Sequence, residues 1–298
     1  MTHPRSEQQT ADAALTPPAG DGIVLRRVET PDEYAECVRL QIETWGDGFT
    51  ERVPATILRI AQYVGGVTAG AFAPPPDGRL LGFVFGMTGM RNGRLVHWSD
   101  LLAVRPDARD HGLGTRLKHY QRELLLPLGV EAMFWTFDPL VARNAHLNLN
   151  HLGARVDEYV RDMYGPDTGS VTHAALGTDR FIVRWDLRAA PELPEHASAA
   201  AGHAARAPAV NAPRPGTDTP VDGELVDAPA VHVEVPPDIT RLVYEAPDVA
   251  RRWRETTRRA FLHYLGRGYR VAAFERDRDG GRDGGRDGGR ASYRLVPL

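Results

Sequence analysis

The spacing of apolar positions changes several times along the chain, and each change marks an element. "GIVLRRV", from Gly22, reads as a strand. In "TPDEYAECVRLQIETW", Tyr34, Cys37, Val38, Ile42 and Trp45 recur at helical spacing on one face. Thr30 can cap that helix, Pro31 suits its first position and Glu33 completes a capping box. A second short helix is expected over 54–64, closed by Gly65. Strand patterns follow. "VTAGAFA" and "RLLGFVFGM" flank the turn signal "PPPDG" and should form a hairpin, with "RLVHWSDLLAV" as the next strand. After "RPDARDHGLG" come a helix in "TRLKHYQRELLLPLG", a strand in "EAMFWTF" and a helix in "RNAHLNLNHLG" that Gly153 closes. "RVDEYVRDMY" and "RFIVRWDL" are the last strands of this block. Early helices, a long meander and then alternating strands and helices predict an α+β fold with one parallel junction.

The pattern then lapses. Four stretches are expected: a disordered N-terminus at 1–20, a domain at 21–188, a flexible linker at 189–230 and a C-terminal extension at 231–298. The linker is rich in Ala, Pro and His and has no aromatic residue, so it can bury little. The extension holds the strand "VHVEVPPDI", a helix over 247–265, and paired strands in "GYRVAAFE" and "ASYRLVP". Val249, Trp253, Ala260 and Tyr264 give the helix an apolar stripe. Between the paired strands "RDGG" occurs three times, and Gly with alternating charge cannot build a core. A strand-helix-hairpin unit is small for a domain, so the extension should dock on the core of its own chain or of a second copy.

Composition narrows the class. The chain has 298 residues, a hydrophobic fraction of 42% and a formal net charge of -3. That charge offers no overall attraction to nucleic acid or to an anionic membrane. No apolar run approaches the roughly 20 residues that span a bilayer, and the N-terminus lacks the pattern of a secretory signal. Cys37 is the only cysteine, which excludes an internal disulfide and a Cys-based zinc site. A cytoplasmic protein fits these features. Lys118 is the only lysine and reads as base composition, not as mechanism.

The hexapeptide "RDHGLG", Arg109 to Gly114, carries the first chemical signal. A strand ends at Val104, Arg105 and Pro106 turn the chain, and the glycines precede a helix. Such geometry aims backbone N–H groups at one spot and suits a pyrophosphate. A loop that merely needs two positive φ angles is the competing reading. There is no Gly-Lys-Ser/Thr of a P-loop and no third glycine of a dinucleotide fingerprint. "LLAVRPDARDHGLGTRL" resembles the acyl-CoA-binding motif of the GNAT acetyltransferase superfamily. "NAHLNLNHLGA", Asn144 to Ala154, resembles the second signature of that family. The resemblance covers about Gly22 to Arg188. The tail resembles a little-characterised GNAT-like group with a C-terminal extension, through less specific motifs.

The resemblance implies a GNAT fold, a mixed and mostly antiparallel sheet with flanking helices, and acetyl-CoA or another acyl-CoA as co-substrate, with no metal. It assigns main-chain contacts with the pantetheine arm to Leu102, Ala103 and Val104. It assigns pyrophosphate binding to Arg109, His111, Gly112, Leu113, Gly114 and Thr115, lets Arg116 reach a phosphate oxygen, and puts Asn144 at the pantetheine. A tyrosine that often protonates the leaving thiolate in the family is replaced by Leu149, and Asn148 and Asn150 beside it do not titrate.

Candidates for chemistry come from "HWSDLLAV". Strict alternation would put Trp98, Asp100, Leu102 and Val104 on one face. A carboxylate among apolar neighbours has a raised pKa and suits a general base; the bland alternative is an Asp turned to solvent by a bulge. His97 is a weaker candidate base or substrate contact, or a plain surface histidine. Asp138 contacts substrate or caps the turn at Pro139. Trp45 walls an acceptor pocket or belongs to the core. His146 and His151, five apart, miss the same-face spacing of a metal pair. Arg251, Arg252, Arg254, Arg258 and Arg259 read as a solvated face, or as anion binders. Together these readings give an acyl-CoA-dependent N-acyltransferase acting on a small-molecule amine by direct attack in a ternary complex, with Asp100 as base. The other class is a GNAT-like protein that binds CoA without turnover, or an assembly module that dimerises through its tail.

Overall fold

The computed structural model describes residues 20–109, 111–165, 168–169, 171–189, 207–276 and 291–298. The stretch 1–19 of the expected disordered N-terminus, Asp110, the first part of the expected linker and the RDGG repeats lie outside the described residues. The chain forms two bodies, one of residues up to Asp47 with Glu51–Met133, the other of Gly48–Thr50 with Phe134–Leu298. The division falls near Met133, within the strand that runs from Ala132 to Phe137.

The first body is an antiparallel meander of β1 (Val24–Arg27), β2 (Val67–Phe72), β3 (Leu80–Arg91) and β4 (Arg94–Val104), in that order. Asn92 and Gly93, both at positive φ, turn β3 into β4, as a two-residue hairpin loop requires. Helices α1 (Pro31–Trp45) and α2 (Ala55–Tyr63) lie on one face. The expected capping box is present, with Thr30 and Glu33 each accepting from the other's end of the turn. Tyr34, Cys37 and Leu40 of α1 join Leu58, Phe83, Phe85, Leu101 and Ala103 in one buried cluster. Helix α3 (Leu113–Leu125) packs Leu113, Leu117, Tyr120, Leu124 and Leu125 inward, in contact with β2, β3 and β4.

The second body takes over within β5 (Ala132–Phe137). There β7 (Arg180–Asp186) lies between β5 and β6 (Arg155–Val160), and β6 pairs with β7 antiparallel. The short α4 (Ala142–Ala145) runs into a wide π turn over His146–His151, and α5 (Val171–Leu176) precedes β7. A separate antiparallel sheet has β10 (Ala291–Pro297) between β8 (Val231–Val235) and β9 (Tyr269–Arg276), as the sequence suggested for the hairpin. Helices α6 (Ile239–Glu245) and α7 (Pro247–Gly266) complete the extension.

The extension shares a core with β6 and β7. Phe181 meets Tyr159, Phe261 and Tyr293 edge-on, and Phe274 also packs on Tyr293. Charged groups are buried with them. Arg254 donates to Asp138 Oδ2 at 2.6 Å and to Leu176 O at 3.0 Å. Arg258 donates to both oxygens of Asp179, at 2.8 and 2.5 Å, while Tyr159 OH also donates to Asp179. Tyr293 OH reaches Pro139 O at 2.8 Å and Asn150 Nδ2 reaches Phe274 O at 3.0 Å.

Two expectations are corrected here. Arg254 and Arg258 do not belong to a solvated face: Ala250, Trp253, Arg254, Thr257, Phe261 and Tyr264 form the buried stripe of α7, and Arg258 flanks it. Residues 207–230 are not a free linker. Asn211 is buried and bridges both polar groups of the Glu234 backbone, Trp253 Nε1 donates to Asp218 O, and Tyr264 OH donates to Val226 O. Hydrogen bonds supplied by the extension hold a segment that has few apolar side chains of its own.

A buried ion pair that loses one partner leaves an uncompensated charge, at a cost of about 3–5 kcal/mol. Arg254→Ala is expected to lower unfolding stability by up to that amount, since Arg180 still lies 3.7 Å from Asp138. Arg251→Ala, which breaks only the exposed pair with Asp248, should change it by about 0.5 kcal/mol or less. Urea unfolding of the two variants beside wild type measures the difference.

Candidate functional site

In the first body, β4 ends at Val104 and a turn of 3-10 helix follows at Pro106–Ala108. Gly112 then takes a left-handed conformation, φ 69° and ψ 11°, immediately before α3. An L side chain is strained there. Arg116 N donates to Gly112 O, the first bond of the helix, and no side chain caps the N-terminus. His111 and Gly112 are exposed and Gly114, Thr115 and Arg116 half-buried, whereas Leu113 turns its side chain into the core. The N–H groups of a first helical turn have no partner within the helix, so this end can receive an anion. Both arginines here have partners within the chain. Arg109 Nε donates to Val104 O at 3.2 Å, and Arg116 is paired with Asp21 at 2.8 Å and also donates to Ile23 O. A cradle at this turn would be one of backbone N–H groups, with both guanidinium groups engaged within the chain.

The strand before it departs from strict alternation. Leu101 lies opposite Phe85 and Ser99 opposite Gly86, which leaves Asp100 with no partner across the ladder. One extra residue resets the faces. His97, Ser99, Leu102 and Val104 share the face that bears α3; Trp98, Leu101 and Ala103 share the face of α1 and α2. The expected single face of Trp98, Asp100, Leu102 and Val104 is overturned by this bulge. Asp100 remains solvent-exposed and accepts a hydrogen bond from Trp98 Nε1 at 3.3 Å. Surrounding protein raises its carboxyl pKa by desolvation, which outweighs the Trp98 bond, and Glu51 adds to the rise. An exposed carboxyl with a raised pKa can still exchange a proton.

His97 is not a base. It is fully buried, and burial, with Lys118 nearby, pushes its pKa down to about 3. It belongs to a continuous chain of hydrogen bonds beneath the sheet. Lys118 Nζ donates to Ser99 Oγ at 2.7 Å, and Ser99 OH to Gln121 Oε1 at 2.8 Å. Gln121 Nε2 lies 3.0 Å from His97 Nε2, and His97 Nδ1 lies 3.0 Å from Thr88 Oγ1, whose hydroxyl bonds Gly65 O at 2.7 Å. The imidazole with its proton on Nδ1 satisfies every member, with donation running in one direction. Gly86 faces this chain, and a Cβ there would collide with His97 Nε2 and the Trp98 carbonyl. Trp45 packs half-buried against the α1 and α2 core.

The second body holds the remaining candidates. Asn144 is half-buried on α4 with its N–H bonded to Val141 O. Asp138 is a cap and an ion-pair partner. It accepts from Leu140 N at 2.9 Å and from Arg254. Burial works to raise its pKa, but Arg254 and Arg180 outweigh it and hold the carboxyl below its usual value. Leu149 is buried, and Asn148 Oδ1 accepts from Trp135 Nε1 at 3.1 Å. The π turn corrects the reading of the two histidines, because its wider winding brings residues five apart onto one face. His146 and His151 touch, Nε2 to Nε2 at 3.0 Å. No group of three or more His, Cys, Asp or Glu side chains that could hold a metal ion occurs among the described residues. No described helix is long and apolar enough to cross a membrane.

Sequence reasoning missed Ser99, Lys118, Gln121 and Thr88. The single lysine was the one available signal.

No family model matches the chain. Two curated proteins, alpha-thujene synthase and alpha-thujene synthase TPS3 of Litsea cubeba, are each 39% identical over 94 residues. That match covers 30% of this chain, and the chain spans 14% of the length of each relative. Among solved structures, the chain is similar to the NatC complex bound to Gag peptide and CoA, with 17% identity, a TM-score of 0.44, and coverage of 55% of this chain and 98% of that one. The ribosomal-protein-S18-alanine N-acetyltransferase of Escherichia coli gives 17% identity, a TM-score of 0.42, and coverage of 57% and 97%. Aminoglycoside 6'-acetyltransferase type Ii gives 15%, 0.43, and coverage of 56% and 99%.

The buried imidazole makes a pH prediction. His97 titrates at about 3 when folded, against an ordinary 6.5. Unfolding between those values takes up a proton, so the contribution is complete above pH 6.5 and is lost as pH falls towards 3. From pH 7 to 4.5 the wild type should lose up to about 2 kcal/mol more than His97→Gln, read from urea midpoints.

Proposed function

We propose that this chain is an acyl-CoA-dependent N-acyltransferase, with acetyl-CoA as the default donor and a small amine as acceptor. The observation that carries this reading is the uncapped α3 N-terminus behind the left-handed Gly112, next to a strand whose bulge exposes Asp100. The resemblance of "LLAVRPDARDHGLGTRL" to the GNAT acyl-CoA motif gives the cradle its ligand, the pyrophosphate of coenzyme A.

On this reading the residues divide the work. The N–H groups of His111 to Thr115 receive the pyrophosphate. The backbone of Leu102, Ala103 and Val104 aligns the pantetheine arm, and an N–H near the bulge polarises the thioester carbonyl. The resemblance also assigns Asn144 to the pantetheine. Asp100 takes the proton from the acceptor nitrogen as that nitrogen bonds to the carbonyl carbon and the C–S bond breaks. Leu149 has no proton to give, so water protonates the departing thiolate. Cys37 has no part in the reaction: burial first, then Glu33 and Glu36, push its thiol up to about 12.

A second reading has one specific observation in its favour. Leu149, at the position of the expected tyrosine, is buried in the core, which suits a protein that holds CoA without turnover.

Acyl-CoA consumption with a panel of small amines separates the two. Turnover with wild type and a fall of about 10²–10⁴ in kcat for Asp100→Asn, with CoA affinity kept, support the enzyme. Binding without turnover for every amine supports the other reading. The cradle has its own test. Gly112→Val should abolish the thermal shift that CoA produces in wild type, and an unchanged shift places the cofactor elsewhere.

A further inference from the structure

Lys118 is the only lysine in the chain, yet only 2% of it is exposed, and it reaches a serine next to the bulge. Burying an ammonium is costly, and desolvation lowers its pKa to about 7. A surface position would have cost nothing, so the placement asks for a purpose. Three observations converge on Ser99. Its hydroxyl is fixed from both sides, accepting from Lys118 and donating to Gln121, and all three residues are buried. The ladder shifts register between Ser99 and Leu101. Across the ladder, Gly86 leaves the space that the His97–Gln121 contact fills.

The bulge is thus pinned on its α3 side by side-chain hydrogen bonds and not only by strand pairing. We propose that Lys118 and Gln121 are positioning residues that clamp Ser99, hold the β4 bulge in register and so aim the Asp100 carboxyl. Lys118 itself faces away from Asp100 in the ladder, since Ser99 lies on the α3 face and Asp100 leaves the ladder at the bulge. It acts through the backbone between them. The clamp is built on α3, the same helix whose N-terminus forms the proposed cradle, so one rigid element sets both the anion site and the carboxyl. The proposal deepens the N-acyltransferase reading, and its test includes an arm that does not depend on turnover.

Lys118→Met keeps the length of the side chain and removes its hydrogen bonds. Ser99→Ala removes the clamped hydroxyl, and Ser99→Thr retains it. The first arm is the Asp100 carboxyl titration followed by ¹³C NMR on labelled protein, with Asp100→Asn identifying the signal. The expected result is that Lys118→Met and Ser99→Ala move the Asp100 midpoint down towards the ordinary carboxylate value, while Ser99→Thr leaves it in place. An unchanged midpoint in folded Lys118→Met and Ser99→Ala overturns the proposal, whatever the enzyme does. The second arm is turnover of acyl-CoA with an amine that wild type accepts. Lys118→Met should lose about a hundredfold in kcat, as a displacement of about 1 Å can cost, with CoA affinity within twofold. A change in CoA affinity with kcat unaltered overturns it as well. If Lys118→Met does not fold, Gln121→Leu and Ser99→Ala are read by the same criteria. Wild type without turnover removes the function reading alone, and the titration still decides the clamp.

Discussion

A single inserted residue in β4 determines which side chains meet α3 and which meet α1 and α2. Side-chain direction in a strand has a period of two, so one extra residue moves everything beyond it to the other face. Before the bulge, His97 and Ser99 face α3; after it, Leu102 and Val104 do. Were Asp100 paired within the ladder, Leu101 and Ala103 would leave the apolar cluster with Phe83 and Phe85. Leu102 and Val104 would take their places, and the Asp100 carboxylate would be turned into the cluster. The bulge is therefore a condition of the core as well as of the site, and a strand that kept perfect pairing would bury the wrong residues.

The second body faces a different constraint. Asp138 and Asp179 are carboxylates in a low-dielectric interior, and such groups persist as charges only when paired and hydrogen-bonded. Their partners, Arg254 and Arg258, come from α7. Ion pairs of this kind add little stability over an apolar replacement but make separation expensive. They register α7 against β7 and the end of β5 more sharply than the aromatic cluster could, since ring contacts tolerate sliding and a carboxylate-guanidinium pair does not. The extension accordingly belongs to the same body as β6, β7 and the end of β5.

Periodic features were legible in the sequence. The capping box at Thr30 and Glu33, the β2–β3 hairpin, the helix after Gly112 and the β9–β10 pairing all follow from local rules, and all are present. What escaped notice depends on contacts distant in sequence. The bulge at Asp100 was an open alternative that "HWSDLLAV" could not settle, because alternation there looks intact; the register is decided by β3 across the ladder. The burial of Arg254 is invisible without Asp138 more than a hundred residues away. The pairing of His146 with His151 needed a π turn, which no spacing rule for an α-helix anticipates. Composition misled in two places. An Ala- and Pro-rich stretch was ordered by partners it could not announce, and a lone lysine looked accidental.

Leu149 bears less heavily on turnover than its contrast with a tyrosine suggests. A thiol has a pKa of about 8.5, so a thiolate leaves near neutral pH with little need of a general acid. The nitrogen is the harder partner. A lysine-like amine, at about 10.4, is almost wholly protonated at pH 7, whereas an α-amine, at about 7.7–8.0, is partly neutral already. A carboxylate is intrinsically a weaker base than an amine, and desolvation, with Glu51 adding to it, raises the pKa of this one. It can accept a proton from the nitrogen as the new bond forms, when that proton becomes acidic, but it cannot strip an alkylammonium beforehand. On the N-acyltransferase reading, the chemistry of Asp100 favours acceptors with an α-amino group over long-chain primary amines, and the demand placed on the base, not on the acid, selects the substrate.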